Sequence, residues 1–545
     1  MVHTPVLSIG LIGDWTPVLK QATIGRDMKG GIMKIDEYVT YDALGLAELV
    51  AKGEVTAAEL QGVACEAAEQ VNDQLNAVVG FVDHQYDGEL AEDARFAGVP
   101  TFLKDLGAGI AGLPQEMGSR LTSGFVNRKT SHFAEQMLKA GFNVVGRTTC
   151  PEFGLTLTTE STAHGNTRNP WNLEYITGGS SGGSAAIVAA GVVPLAHTND
   201  GGGSTRIPAS ICGNVGLKTS RGLVSLAPAL NDVTGPLIAE GCNTRTVRDS
   251  AAFLDAVVGL APGEGTMQQV PDFSYLDKLS EAPGKYRIAV SLDDWGGGEM
   301  HPDIRSEVER IAKSLRTMGH EVGEATPEIV KGNAITNAFK PLWFVIAEEA
   351  VRGLEPITNR VADENTLEPI TLKMLEAAGS ITALEYSSAV GFSNIVARHL
   401  GVFFGEWDLL LTPALNRPTP KLGSKVSLMG GADLDEWYAE ALSTVTHTPL
   451  ANFSGVPAIS VPCGIGPEDL PLGMHFFAPM GGEMQLLDIA RQLEEAEPWI
   501  DRRPGVFVGW RPTEQRPDRL GLDQPVDPQN RSPPVDLTDQ QTTLF

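Results

Sequence analysis

Gly178-Gly179-Ser180-Ser181-Gly182-Gly183-Ser184 is followed by an apolar run and then by Asp200-Gly201-Gly202-Gly203-Ser204. Glycine clusters raise the entropic cost of ordering a backbone, so two of them around one apolar segment need a reason. Either cluster alone reads as a flexible loop beside a buried helix. Together they admit a chemical reading. Successive glycines can turn several backbone N–H groups into one concavity, which suits a phosphate or an oxyanion. A serine that closes such a nest stands where it can attack a carbonyl whose oxygen the nest then holds.

Ser180 also fits the pattern Gly-x-Ser-x-Gly through Gly178 and Gly182, the nucleophile elbow of α/β-hydrolases. That elbow needs a buried strand directly before the serine. Asn169-Pro170-Trp171-Asn172-Leu173-Glu174-Tyr175 precedes it here, and proline and asparagine are poor strand formers. The elbow is therefore set aside, and the serines need another activator. Lys104 ends the apolar stretch Phe96-Ala97-Gly98-Val99-Pro100-Thr101-Phe102-Leu103, just before Asp105. On spacing alone it is a snorkelling lysine paired with Asp105. The chemical reading is a buried lysine whose pKa is lowered until it serves as a base.

The motifs in order resemble those of the amidase signature family: the first Ser/Gly cluster, then Gly202-Gly203-Ser204-Thr205-Arg206-Ile207-Pro208-Ala209-Ser210, then Cys212-Gly213 and Gly216-Leu217-Lys218. The resemblance runs from about residue 36 to about residue 504. It implies an α/β fold with a large mixed β-sheet flanked by helices. It implies a Ser-cisSer-Lys triad in which Ser204 is the nucleophile, Ser180 the relay and Lys104 the base. The oxyanion hole would come from Gly201, Gly202 and Gly203 together with the N–H of Ser204. Phe102-Leu103-Lys104-Asp105-Leu106, Thr158-Thr159-Glu160, Thr167-Arg168-Asn169-Pro170-Trp171-Asn172 and Ala458-Ile459-Ser460-Val461-Pro462 place it nearest the branch that hydrolyses 6-aminohexanoate cyclic dimers. The chain departs from many members at Asn199, where they have Thr, and at Gly201, where they have Thr, Ile or Ala. The implied activity is hydrolysis of a small or non-peptide amide through an acyl-enzyme. Two alternatives are an amidotransferase A-type subunit that releases ammonia from glutamine, and a non-catalytic binding protein on this fold. Ile207, where such subunits usually carry Gln, argues against the first. The complete set of Lys104, Ser180 and Ser204 argues against the second.

Composition narrows the partners. The formal net charge of −27 repels nucleic acid and anionic membrane surfaces. No run approaches the roughly 20 apolar residues of a membrane-spanning helix, and no signal peptide is recognisable at the N-terminus. A cytoplasmic location is expected. The partners expected are a small-molecule amide and a second copy in a homodimer. Cys65, Cys150, Cys212, Cys242 and Cys463 are widely spaced and read as reduced thiols. The histidines show no ligand spacing, so neither a metal nor another cofactor is expected.

Strand and helix signals alternate, which argues α/β. Thr56-Ala57-Ala58-Glu59 is a capping box that opens a helix, and residues 76–82 read as a strand. A helix near 132–140 leads into a strand near 141–146, and a short helix spans 185–190. A strand at 286–292 precedes a helix from Pro302 to about Met318. Residues 331–429 break this rhythm, read as helix-rich, and hold Trp343 and Phe344, expected to wall the substrate pocket. Residues 1–35 read as an extension, 36–504 as the amidase signature domain, and 505–545 as a tail.

Overall fold

The computed structural model describes residues 33–84, 86–230, 236–265 and 268–509. Most of the expected extension and tail lies outside these residues. Their inner ends do not behave as appendages. Met33 and Ile35 are buried, and so are Phe507 and Val508. Val506 N–H donates to the Pro170 carbonyl at 2.9 Å and Val508 N–H to that of Ala190 at 3.0 Å.

A small sheet has the order β1 (Val78–Phe81), β3 (Asn143–Thr148), β2 (Pro100–Lys104). A two-residue pair, β4 (Glu160–Ser161) and β5 (Gly165–Asn166), follows. The main sheet uses β6 (Leu195–Asp200), β7 (Val215–Lys218), β8 (Ala239–Thr244), β9 (Arg287–Val290), β10 (Glu321–Glu324), β11 (Leu409–Pro413), β12 (Ala458–Ile465) and β13 (Pro471–Phe477). Its order is β10-β9-β11-β13-β12-β7-β8-β6. β10, β9 and β11 run parallel, and the remaining pairings are antiparallel. The sheet is therefore mixed, as the resemblance implies.

The helix Ala57–Leu75 forms where the capping box predicts it. Thr56 Oγ1 accepts from Glu59 N–H, and Glu59 returns a carboxylate oxygen to Thr56 N–H at 2.8 Å. Leu60, Val63, Ala67, Val71 and Leu75 form its buried face. The helices His132–Lys139, Gly182–Ala189 and Pro302–Thr317 also fall where the sequence puts them. One expectation needs correction. The helix-rich segment holds the helices Ala334–Thr358, Pro369–Ala378 and Ala383–Glu406, but it also contains β11, an inner strand of the main sheet. Leu409-Leu410-Leu411 is apolar on both faces because both faces are covered, and so short an apolar run has no periodicity to separate strand from helix.

The sheet's period of two divides the core. Ile288, Val290, Leu409, Leu411, Ile459 and Phe476 face one cluster, with Ile304, Val308, Leu486 and Leu493 from the helices Pro302–Thr317 and Glu483–Ala496. Ala289, Leu410, Ala458 and Phe477 face the other, with Phe339, Val396 and Leu400 from the helices Ala334–Thr358 and Ala383–Glu406. The helix Ala334–Thr358 brings Phe339 and Trp343 against the glycine loop after β6.

Candidate active site

β2 and β6 bring the first two groups together. Lys104 is the last residue of β2 and 1% exposed. Its backbone N–H donates to His197 Nδ1 on β6 at 3.1 Å, and His197 Nε2, 2.8 Å from Glu240 Oε2, donates to that carboxylate. The side chain of Lys104 ends 2.6 Å from Ser180 Oγ and 2.6 Å from Asn199 Oδ1. Asn199 Nδ2 donates to the Leu106 carbonyl at 3.1 Å, which fixes its amide so that the oxygen faces the lysine. Burial lowers the Lys104 pKa to about 8, while Cys150, Glu240 and Asp200 act in the opposite direction. The snorkelling reading does not hold. Asp105 pairs with Arg147 at 2.5 Å instead.

Ser180 is 2% exposed, in the loop before the helix Gly182–Ala189, and the Gly179–Ser180 peptide bond is cis. No strand directly precedes it, in agreement with the rejection of the elbow. Ser181 Oγ donates to the Asn199 carbonyl at 3.2 Å, which ties this loop to the end of β6. Gly154 abuts Ser180, since a methyl group placed on Gly154 would stand 3.0 Å from Ser180 Oγ.

Asp200 shapes the next turn. Its carboxylate accepts from Gly203 N–H at 2.7 Å, Thr205 N–H at 3.1 Å and Asn452 Nδ2 at 2.8 Å. Arg206 binds the same carboxylate through Nε and a terminal nitrogen, each at 2.9 Å. Arg206 also donates to the Thr448 carbonyl and to Asn452 Oδ1. Burial pushes the Asp200 carboxyl up, but Arg206 outweighs it and holds it well below the usual carboxylate range. A fully buried Asp and Arg, each 1% exposed or less, thus hold the loop 201–204 from beneath. Gly203 must be glycine, with φ at +130° and Thr448 Oγ1 in the space of a side chain.

This geometry corrects one expected donor. Gly203 N–H already has an acceptor in Asp200, so it is not free for an oxyanion. The N–H groups of Gly201, Gly202 and Ser204 have no hydrogen-bond partner among the described residues. Ser204, 7% exposed, stands just before the helix Arg206–Cys212, and its hydroxyl is likewise unpartnered among them.

The second correction concerns the pocket wall. A methyl group on Gly201 would stand 2.9 Å from the Trp343 ring, and one on Gly202 3.3 Å from the Phe339 ring. The two rings stack at 5.6 Å and 26°. Trp343 therefore lies against the glycine loop, whereas Phe344 does not. It is 1% exposed, edge-on to Tyr438 at 5.9 Å, and packed with Leu121, Met374 and Trp437. Neighbouring residues on a helix point about 100° apart, so Phe344 turns into the Tyr438 cluster while Phe339 and Trp343, one turn apart, both face the glycine loop. The i, i+4 aromatic spacing was the signal for Phe339. A shallow recess lined by Trp295, Ile335, Thr446, Pro449 and Leu450 shares Phe339 with that wall.

The fold also gathers Asp105, Glu116 and His164, with one potential ligand atom from each within 4.8 Å of the others. No sequence spacing announces this group. Arg147, bound to Asp105 and 3.6 Å from Glu116, supplies its positive charge.

Comparison with known proteins agrees with this architecture. The Amidase family model matches residues 59–487, and the chain belongs to that family. It is 37% identical over 479 residues to the 6-aminohexanoate-cyclic-dimer hydrolase of Paenarthrobacter ureafaciens, covering 86% of this chain and 97% of that protein. The solved structure of a 6-aminohexanoate cyclic dimer hydrolase complexed with substrate superposes with a TM-score of 0.80 at 34% identity, covering 86% of this chain and 99% of that one. A bacterial aryl acylamidase structure superposes with a TM-score of 0.74 at 26% identity, covering 84% and 96%. The protein is an amidase, a hydrolase of carbon–nitrogen bonds other than peptide bonds. Among the described residues, no helix is long and apolar enough to cross a membrane.

Proposed function

We propose that the amidase works through Ser204 as nucleophile, Ser180 as proton relay and Lys104 as base, and that its substrate is a small, non-peptide amide such as a cyclic or linear oligoamide. Ser204 Oγ attacks the amide carbon while its proton passes to Ser180 and the proton of Ser180 passes to Lys104. The tetrahedral oxyanion is held by the N–H groups of Gly201, Gly202 and Ser204; one such donor is worth about 3 kcal/mol. Collapse breaks the C–N bond, and the proton returns from Lys104 through Ser180 to the leaving amine. Water then attacks the acyl-enzyme by the same route and releases the acid.

The observation that carries this reading is the buried Lys104–Ser180 contact at 2.6 Å, with the lysine pKa drawn down to about 8. A neutral amine has two N–H donors and one lone pair. Asn199 Oδ1 takes one donor, which leaves the second N–H and the lone pair for the Ser180 hydroxyl, so the neutral amine can accept the Ser180 proton by rotating about its Cε–Nζ bond.

The net charge of −27 supports a small-molecule substrate with no nucleic acid or membrane partner. Five unpaired cysteines suit a cytoplasmic setting. For the homodimer, Leu384, Ile395 and Val402 stand exposed on one face of the helix Ala383–Glu406, and sedimentation velocity tests the pairing. For the chemistry, a serine-reactive fluorophosphonate is expected to label Ser204, read by peptide mass spectrometry. Labelling at Ser180 with Ser204 untouched would exchange their roles.

A further inference from the structure

Gly201 is a glycine without a backbone reason. Its φ lies outside the left-handed region, so an alanine would meet no conformational objection there. The reason is spatial. A methyl group at 201 would stand 2.7 Å from Ile238 Cδ1 and 2.9 Å and 3.2 Å from two ring atoms of Trp343. The end of Ile238 can swing aside by rotating about its side-chain bonds. Trp343 has less freedom. Its Nε1–H donates to the Leu155 carbonyl at 3.3 Å, one ring face stacks on Phe339, and Phe339 lies against Gly202 and within a core cluster. Leu155 follows Gly154, which abuts Ser180. The indole is therefore held at one end by the loop that touches the relay serine and lies at its ring edge against the loop that ends in Ser204.

We infer that Gly201 and Trp343 act as one specificity-determining pair: the missing side chain at 201 admits the indole, and the indole with Phe339 forms an apolar wall for the acyl part of the substrate. The inference deepens the proposed function and rests on Ser204 being the nucleophile. Two aromatic rings beside two glycines make an apolar surface onto which the loop projects no side chain at 201 or 202. An extended methylene chain or a planar acyl group can lie along it, whereas branching next to the carbonyl lifts the chain off it. The chemical class assigned is thus an amide whose acyl portion is linear or planar and several carbons long. Trp343 is a specificity residue and takes no part in proton transfer.

The test uses the purified full-length protein and two fluorophosphonates, one methyl and one n-octyl, with second-order labelling rates at Ser204 measured by mass spectrometry. Wild type is expected to prefer the octyl probe by about tenfold or more, the scale on which apolar pockets discriminate. Trp343→Ala should reduce that preference by about tenfold while slowing the methyl probe far less. Gly201→Ala should also lose the preference, because its methyl group displaces the indole. The deciding variant is the double substitution. If the two residues are one device, Gly201→Ala adds almost nothing once Trp343→Ala is present, so the effects fail to multiply. Multiplying effects would overturn the pair, since Gly201 would then act on the loop without Trp343. An unchanged octyl preference in folded Trp343→Ala, with folding checked by circular dichroism, would overturn it as well. Failure of the underlying reading looks different: wild type would then label elsewhere than Ser204 with either probe, and the inference would fall with it.

Discussion

Two regions meet at Gly201, and they are built on opposite principles. Behind the glycine loop, β2 and β6 bury a polar network: Lys104, Ser180, His197, Asn199, Asp200 and Arg206 are each 6% exposed or less and each hydrogen-bonded. In front of it, the helix Ala334–Thr358 presents Phe339 and Trp343, which touch the loop through ring carbons. Hydrogen bonds are directional, and a buried one that is lost leaves a partner unsatisfied, so the first region fixes atomic positions. Apolar contact is non-directional and grades with area, so the second selects by shape. Substitutions behind the loop should therefore stop turnover or folding, and those in front should change which substrate is taken.

The sharpest way to break this contrast is at Lys104. Lys104→Ala is expected to lower kcat by on the order of 10⁴-fold, the scale seen when one member of a catalytic set is removed. In the wild type the rate should fall as pH drops through about 8, because protonated Lys104 cannot accept the Ser180 proton. Lys104→Arg should fail too, as guanidinium stays protonated. pH–rate profiles beside circular dichroism decide it. Near-normal turnover in folded Lys104→Ala would remove the base from the mechanism.

Asp200→Ala comes next. It leaves the Arg206 guanidinium buried without its carboxylate, at a cost of about 3–5 kcal/mol, and frees the Gly203 N–H. Urea unfolding measures the first effect. A loss below 1 kcal/mol would mean that the network does not hold the loop.

Phe344→Ala tests the correction to the wall. It opens a cavity in the cluster around Tyr438 and Trp437, so a stability loss of about 3 kcal/mol is expected with little change in substrate preference. A changed acyl preference without lost stability would restore Phe344 to the pocket.

The smallest effect concerns Glu240. Its charge raises the pKa of Lys104, so Glu240→Gln should move the acid limb of the rate profile to lower pH. Glutamine can still accept from His197, so the scaffold is kept. An unmoved limb would show that this charge is not felt at the lysine.

What the sequence made legible follows from what is local in it. The helix at Thr56 is written in a four-residue capping box. The glycine clusters state a backbone demand at the places where the structure bends around Ser180 and Ser204. Family resemblance joined Lys104 to those serines across a gap that no local pattern spans. β11 was missed because three leucines buried on both faces have no period, and which aromatic rings of the helix Ala334–Thr358 reach the glycine loop depends on how that helix packs, as Phe339 and Trp343 show.

By itself, then, the sequence determined the class of fold, the family and the residues whose types suit amide hydrolysis, since each is encoded by residue identity, spacing or resemblance. Tertiary structure alone decided which N–H groups of the glycine loop stay free. That depends on Asp200 turning its carboxylate to Gly203, which in turn depends on Arg206 and on Asn452, some 252 positions along the chain. It also decided that Gly201 makes room for Trp343. A glycine records only that a side chain is absent, and which neighbour fills the space is set by packing between elements far apart in the chain.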